Sequence, residues 1–431
     1  MKIAICLFPL MDLGGIINHT EQLAGGFKDL GHQVDLIELS WKDKKPKANN
    51  KDTTAGWIVG PSGIIHHQGK GWNFPARNRL SYRGMWRMRE AKAVLETYDI
   101  IVWSVPVPTK LAEHRGNTDW PELYNLKHPR QVAIVHDGNA PDACPHILHI
   151  ARHLKGIACV HPCAYNGAAF IPRPRAMIVN PQDLNVIGGD KWDNRRPGFI
   201  SAQTFKAWKH VHDLVEAIAY MNDRRDDEVR MVAGEGIEYR YMVSEEKCKD
   251  AYFHGQTGTW FNHMKFWDAA LANGMQRPVN GYLTAGELDI ELRRTKTLVD
   301  PSWSNRYAKV GGHFNRVVVD AIRNGAIPIA STLGMGDEVF KAGEDYVPLP
   351  HPAPRDPAHY ANVVQEAGFM DAKKAKPYLE SGRDKLQLFE RSKVARLFID
   401  LADEMGVVGQ VTPNAQIACD ITLEQFFGIT K

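Results

Sequence analysis

Short apolar runs alternate with helix-like segments along the 431-residue chain, and the alternation starts afresh after about residue 185. Apolar runs joined by helices are typical of a parallel sheet that is covered by helices on both faces. The first set of strands is predicted at 2–7, 33–39, 100–105, 131–136, 156–160 and 176–179. The second set is predicted at 198–202, 229–232, 251–254, 297–301 and 327–329. The sequence therefore predicts an α/β fold with two Rossmann-like domains.

A polar segment that contains glycines, around 185–197, separates the two sets of strands. We therefore predict an N-terminal domain at 1–185, a C-terminal domain at 186–410, and a final segment at 411–431 that packs back on the first domain. Helices are predicted at 209–221, 260–273, 314–324, 391–405 and 423–429. Two facing domains of this kind bind ligands in the cleft where their strands end.

The composition excludes several classes of protein. No run of eighteen apolar residues and no signal-peptide pattern occurs, so we expect a soluble, cytosolic protein without a membrane partner. The six cysteines lack CxxC spacing, which favours free thiols over a zinc site. No GxSxG or HExxH motif indicates a hydrolase, and no acidic pair indicates an essential metal or another cofactor.

Positive charge is concentrated at 42–92, which holds twelve basic residues against three acidic ones. This stretch carries a net +9, whereas the whole chain carries only +3. Tryptophan, phenylalanine and tyrosine are interleaved with the basic residues, as in surfaces that bind phosphates and stack on bases. The candidate DNA-binding residues are Lys70, Arg77, Arg79, Arg83 and Arg87. The alternative is a solvated loop and a charged helix face that tryptophans anchor.

The segment 311–331 reads as a glycine loop, a buried helix, a glycine stop and a strand. A helix that follows a loop presents unpaired N–H groups and a partial positive charge, which suit a phosphate. Asp320 lies inside the apolar helix and needs a partner there, such as ribose hydroxyls. The candidates around the start of this helix for binding the phosphates of a nucleotide donor substrate are Gly312, His313, Asn315 and Arg316. The alternative is an ordinary helix–strand unit with an incidental aspartate.

Further candidates follow predicted strands directly. Lys206 and Lys209 come after the strand at 198–202, where ammonium groups can neutralise a departing diphosphate. Glu235 is flanked by glycines after the strand at 229–232, and it is a further donor-binding candidate. His136 and Asp137 end the strand at 131–136, where they can orient an acceptor hydroxyl or the donor sugar. Surface lysines, a hydrogen-bonded core histidine and a helix-capping aspartate are the alternatives.

Taken in order, these elements resemble the DNA α-glucosyltransferases of T-even bacteriophages, which are retaining glycosyltransferases of the GT-B type. The collinear matches are 1–39, 135–137, 160–161, 207–209, 234–238, 320–328 and the tail 424–431. The resemblance implies a GT-B fold with an interdomain cleft and a C-terminal helix that crosses back. It also implies a hexosyltransferase that acts in the host cytoplasm. This enzyme would move glucose from a UDP-sugar to a 5-hydroxymethylpyrimidine in double-stranded phage DNA.

The resemblance also implies roles for individual residues. Gly14 and Gly15 would approach the donor phosphates, Lys209 would bind the diphosphate, and Asp320 would bind the ribose. His136 and Asp137 would lie beside the transferred sugar and the acceptor hydroxyl, so the implied catalytic residues are His136, Asp137 and Lys209.

The chain departs from the pattern at two positions. Thr204 stands where the family has an arginine, so Lys206 is expected to supply that charge. Gly312 stands where broader retaining relatives carry an acid. Two other functions remain open: a GT-B transferase for a glycan, lipid or small-molecule acceptor, and a non-catalytic DNA-binding relic of a transferase.

Overall fold

The computed structural model describes the residues 1–7, 15–40, 57–59, 65–67, 78–83, 92–104, 126–136, 151–161, 164–165, 168–171, 173–185, 188–204, 214, 217, 229–234, 285–302, 316–332, 339–349 and 356–403. These residues form two parallel sheets, a short hairpin and the helices that pack on the sheets. Within this part of the chain, no helix is both long enough and apolar enough to cross a membrane.

The first sheet is built from the N-terminal part of the chain. Its strands are β1 (Lys2–Leu7), β2 (Gln33–Ser40), β5 (Asn78–Arg83), β6 (Ile100–Trp103), β7 (Gln131–Val135), β8 (Gly156–Cys159) and β9 (Arg175–Met177). Their order is β5-β2-β1-β6-β7-β8-β9, and every neighbouring pair is parallel. The central strands are buried along their whole length, which explains why they read as continuous apolar runs. The helix α1 (Gly15–Asp29) connects β1 to β2.

The hairpin pairs β3 (Trp57–Val59) with β4 (Ile65–His67) in antiparallel fashion. Both the hairpin and β5 lie within the basic stretch 42–92. Part of that stretch therefore belongs to the main sheet, because β5 is the edge strand next to β2.

The second sheet follows the segment around residue 185. Its strands are β10 (Arg196–Thr204), β11 (Val229–Gly234), β12 (Thr295–Asp300), β13 (Ile327–Ser331) and β14 (Val347–Leu349), in the order β11-β10-β12-β13-β14. All neighbours are again parallel. The described helices of this part are α2 (Ala285–Arg294), α3 (Arg316–Arg323), α4 (Pro357–Gly368) and α5 (Ala372–Leu386). The predicted two-sheet α/β architecture is therefore confirmed.

The last described helix, α6 (Arg391–Ala402), packs on the first sheet although it follows the second in sequence. It lies against α1, β7 and β8. The crossing is held where Gln182 pairs with Glu390, through bonds from Gln182 N to Phe389 O (2.6 Å) and from Arg391 N to Gln182 O (2.9 Å). The helix that crosses back is therefore at 391–402. This is the helix predicted at 391–405, and it belongs to the stretch predicted as the C-terminal domain (186–410). The predicted strand at 251–254, the helices at 260–273 and 423–429, and the segment 411–431 lie outside the described residues.

Candidate active site

The carboxyl ends of neighbouring strands in the first sheet meet the first turns of α1. Ser104 directly follows β6, and its Oγ lies 2.6 Å from Thr20 Oγ1 of α1. His136 directly follows β7, and its carbonyl oxygen lies 3.2 Å from Nε2 of His161, which comes just after β8. This edge is where doubly wound sheets bind their ligands. The structure therefore places His136 at the position that the sequence predicts.

The ring of His136 meets a second histidine, His19 of α1. The ring centroids are 4.7 Å apart and the planes are nearly perpendicular. Burial lowers the pKa of His136 to about 4, against a smaller opposing effect of a hydrogen bond to the Ser104 backbone. Burial also lowers the pKa of His19, and the neighbouring His136 and Arg316 lower it further. Both rings are therefore neutral near pH 7 and can exchange hydrogen bonds with hydroxyl groups without adding charge.

The second sheet contributes a buried group of charges on α3. Arg316 begins this helix, and its Nε lies 3.4 Å from Asp320 Oδ2, one turn further on. Asp320 Oδ1 lies 3.6 Å from Arg323 Nη2. Arg323 is in turn held by Asp289 of α2, at 2.5 Å from Nη2 to Oδ1. The Asp320 carboxylate is thus fixed between two arginines of its own helix.

These two groups of side chains form one cluster across the two sheets. Arg316 of α3 is close enough to His19 and Glu21 of α1 to interact with both electrostatically. Burial raises the pKa of Glu21 to about 7, although the positive charge of Arg316 opposes the rise. The first turns of α1 therefore face the start of α3, as expected for two lobes that enclose a ligand.

Several buried polar atoms at this junction have no hydrogen-bond partner among the described residues. They are both ring nitrogens of His19, His136 Nε2, Arg316 Nε and Nη1, Asp320 Oδ1, and the hydroxyls of Ser302 and Ser331. Ser302 closely follows β12 and Ser331 ends β13, so these hydroxyls lie at the carboxyl edge of the second sheet. Buried polar groups in folded proteins are nearly always hydrogen-bonded. The unpaired groups at this junction are therefore available to bind a polar ligand.

The predicted site residues fall into three groups. The structure brings His136, Arg316 and Asp320 into this cluster, and Gly15 begins α1 one turn before His19. Arg79 and Arg83 lie in β5, at the edge of the first sheet. The remaining candidates lie outside the described residues, so their roles stay predictions: Gly14, Lys70, Arg77, Arg87, Asp137, Lys206, Lys209, Glu235, Gly312, His313 and Asn315.

Sequence reasoning missed His19 and Glu21, which lie in α1. One signal for His19 was available. His19, Leu23 and Phe27 are spaced by four residues and all three are buried, so a histidine stands on the apolar stripe of α1. Glu21 carried no such signal, because its environment depends on Arg316, which is far away in sequence.

No group of three or more histidine, cysteine or acidic side chains among the described residues is arranged to hold a metal ion. A reaction without an essential metal stays a prediction.

The fold and the position of this cluster identify the class of structure to which the chain belongs. No protein-family model and no curated protein matches the sequence. Solved glycosyltransferase structures, however, match over 94% of the chain. The chain has the GT-B glycosyltransferase fold.

Particular structures show how distant these similarities are in sequence. The Anabaena protein HepE in complex with UDP and glucose is 13% identical, with a TM-score of 0.63 over 94% of this chain and 100% of that one. An α-glucosyltransferase in complex with UDP-glucose and DNA containing an abasic site is 12% identical, with a TM-score of 0.59 over 94% and 99%. Sucrose-phosphate synthase from Thermosynechococcus elongatus is 16% identical, with a TM-score of 0.58 over 94% and 98%.

Proposed function

We propose that this protein is a UDP-sugar-dependent hexosyltransferase. The observation that carries the proposal is the cluster of unpaired, buried polar groups from both lobes, centred on His136, His19 and Arg316. This cluster lies at the carboxyl edges of the two sheets of a GT-B fold. Solved structures with the same fold hold UDP, UDP-glucose or glucose, which supports a nucleotide-sugar as the ligand here.

The described residues suit the successive parts of such a donor. Asp320 is held between Arg316 and Arg323, and its unpaired Oδ1 can accept a hydrogen bond from a ribose hydroxyl. The neutral His136 can bond a hydroxyl of the transferred sugar through Nε2. Catalysis then comes mainly from stabilising the departing UDP and from holding the acceptor beside the sugar. We propose Lys209 and Asp137 as the further catalytic residues, with retention of the anomeric configuration.

For the acceptor we propose a 5-hydroxymethylpyrimidine in double-stranded phage DNA, modified in the host cytoplasm. The charge of +9 at 42–92 supports a polyanionic partner. Arg79 and Arg83 of this stretch lie on the edge strand β5. The resemblance to phage DNA α-glucosyltransferases points the same way, as do two similar structures of an α-glucosyltransferase with DNA. Because a duplex hides the hydroxymethyl group, the base is expected to leave the stack.

A transfer assay tests both halves of the proposal. Radiolabelled UDP-glucose is incubated with duplex DNA that contains 5-hydroxymethylcytosine or 5-hydroxymethyluracil, and label in the DNA is measured. Unmodified DNA of the same sequence is the control for the acceptor, and Asp320→Asn is the control for the donor site. We expect label only in modified DNA and a loss of at least about tenfold in Asp320→Asn. If no UDP-sugar labels any modified DNA, the DNA acceptor is wrong.

A second acceptor class has support from the comparisons as well. Sucrose-phosphate synthase, which is named for a sugar product, gives a TM-score of 0.58, against 0.59 for the α-glucosyltransferase with DNA. A transferase for a glycan or small molecule would hydrolyse UDP-glucose slowly in the absence of DNA and would show no change when modified DNA is added. A non-catalytic relic would show no thermal stabilisation by UDP at all.

A further inference from the structure

Arg316 differs from the other buried arginines among the described residues in how little of its hydrogen-bonding capacity is used. Arg195 donates to four carbonyl oxygens, those of Asp190, Leu292, Thr295 and Asn324, at 2.9–3.1 Å. The side chain of Arg316 is only 12% exposed, yet its Nε and Nη1 have no hydrogen-bond partner in the part of the chain that the structure describes. A buried guanidinium with free donors is costly unless a ligand accepts from them.

The charges around Arg316 leave room for an anion. Asp320 is the acid nearest to it in the described structure, at 3.4 Å from Oδ2 to Arg316 Nε. That carboxylate is shared with Arg323, and Asp289 lies beyond Arg323. Glu21 on the opposite helix has a pKa raised to about 7 by burial, so its carboxyl is only partly ionised near neutral pH. His19, which faces Arg316, is uncharged, so among the described groups of the first lobe the partly ionised Glu21 is the one that partly balances the guanidinium.

The position of Arg316 suits the diphosphate of the donor. It begins α3 and faces the first turns of α1 across the junction, where the two lobes enclose a ligand. Asp320, one turn along the same helix, is placed to take the ribose. A diphosphate joined to that ribose lies within reach of a guanidinium one turn away, and the planar fork of arginine suits phosphate oxygens.

We propose that Arg316 binds the diphosphate of the nucleotide-sugar, together with Lys206, which is expected to replace the arginine that is absent at Thr204. The inference rests on the proposed function, because it assigns a residue to the same donor site. It gives the site a cation from the nucleotide-binding helix itself, in addition to the lysines predicted after β10. Arg316 then neutralises charge on UDP as the glycosidic bond breaks.

The test measures binding of uridine, UDP and UDP-glucose to the wild type and to Arg316→Gln. Ligand-observed NMR serves for uridine and calorimetry for the nucleotides. We expect Arg316→Gln to raise the Kd of UDP and UDP-glucose by about tenfold to a hundredfold, with the Kd of uridine unchanged. Arg196→Gln is the matched control. It removes the same charge from the second lobe. Arg196 begins β10, however, and therefore lies at the amino-terminal ends of the strands, away from the cluster, where it pairs with Glu291.

The possible outcomes separate the inference from the proposed function. If the wild type binds neither UDP nor UDP-glucose, the proposed function fails and this inference fails with it. If the wild type binds both and Arg316→Gln binds them equally well, only the role of Arg316 is wrong. An equal loss for uridine means that Arg316 merely supports Asp320, which also overturns the proposal. If Arg316→Gln fails to fold, Arg316→Lys decides, because it keeps the charge but loses the fork and must weaken UDP selectively.

Discussion

His19 and His136 lie against each other at the junction, and burial of their rings lowers the pKa of both. Their ring centroids are 4.7 Å apart, and a proton on His19 would lie close to the positive charge of Arg316. Neutral imidazoles can orient hydroxyl groups at physiological pH. They are poor partners for the negative charge of a diphosphate, so the proposed donor site assigns that task to Lys206, Lys209 and Arg316.

The buried state of His136 predicts a pH-dependent stability. Its pKa falls from 6.5 in the unfolded chain to about 4 in the folded protein. Between these values the unfolded state binds the proton more readily, so stability is present above pH 6.5 and is lost as pH falls towards 4. The loss amounts to at most about 3 kcal/mol. In urea unfolding at pH values across this window, His136→Gln should lose stability less steeply than the wild type.

The matched control for this experiment is His359→Gln, which removes an exposed imidazole near the start of α4. The control should retain the slope of the wild type. If His136→Gln and the wild type lose stability in parallel, burial of His136 does not cause the loss of stability between pH 6.5 and 4.

At the residue scale, the sequence predicted the site where one element was enough to indicate it. His136 follows a recognisable strand, and Asp320 stands inside an apolar helix with a glycine stop. Glu21 could not be predicted, because its raised pKa depends on its burial in the folded protein. Arg316 was a candidate from its place at the helix start, but its unused donors are visible only in the structure.

Among the elements, the contact between α1 and α6 holds the crossing helix to the first lobe. Gly26 lies under the backbone of α6, where a Cβ atom would come within 2.1 Å of Arg391 O. Arg391 also pairs with Asp29 of α1 at 2.5 Å and with Asp183 at 2.6 Å. Phe27 and Phe398 pack edge to face beside this contact.

We expect Gly26→Ala to destabilise the protein by about 1–3 kcal/mol, because the added methyl group forces two backbones apart. Thermal and urea unfolding measure the effect. Gly286→Ala is the matched control, since Gly286 of α2 has no described atom within 4 Å of an added Cβ and this change should cost nothing. Equal stability of the two variants would show that α6 can shift without loss.

Sequence reasoning missed α2 and α4, and it also missed several elements whose pattern differs from a buried parallel strand or an amphipathic helix. β5 reads Asn-Arg-Leu-Ser-Tyr-Arg and lies at a sheet edge, so it shows no continuous apolar run. β14 has three residues, too few for any periodicity. α5 is rich in lysine and carries Pro377 inside the helix, which opposes a helix prediction. The central strands were predicted well, because burial on both faces leaves a clear apolar run.

For the whole molecule, the uneven charge predicts how DNA binding depends on salt. Replacing Arg77, Arg79, Arg83 and Arg87 together by glutamine should weaken duplex binding and flatten the plot of log Kd against log salt. The slope should fall by roughly 0.9 for each phosphate group that the variant no longer neutralises. Fluorescence anisotropy with labelled duplex DNA at several salt concentrations measures it.

The control for this prediction changes the same number of charges on α5. Lys373, Lys374, Lys376 and Arg383 are exposed there, and their replacement by glutamine should leave the slope unchanged. If both quadruple variants behave alike, binding is a general attraction to positive charge and the basic stretch is not the DNA surface.

The packing of α6 on the first lobe affects the order in which the two lobes of the nascent chain can complete their folding. The second sheet and its described helices occupy one continuous stretch, 196–386, whereas the first lobe is complete only when 391–402 has been synthesised. Until then, the surfaces of α1, β7 and β8 that receive Val394, Phe398 and Leu401 have no cover from this helix. On the ribosome, the lobe that is translated first is therefore the last to be finished.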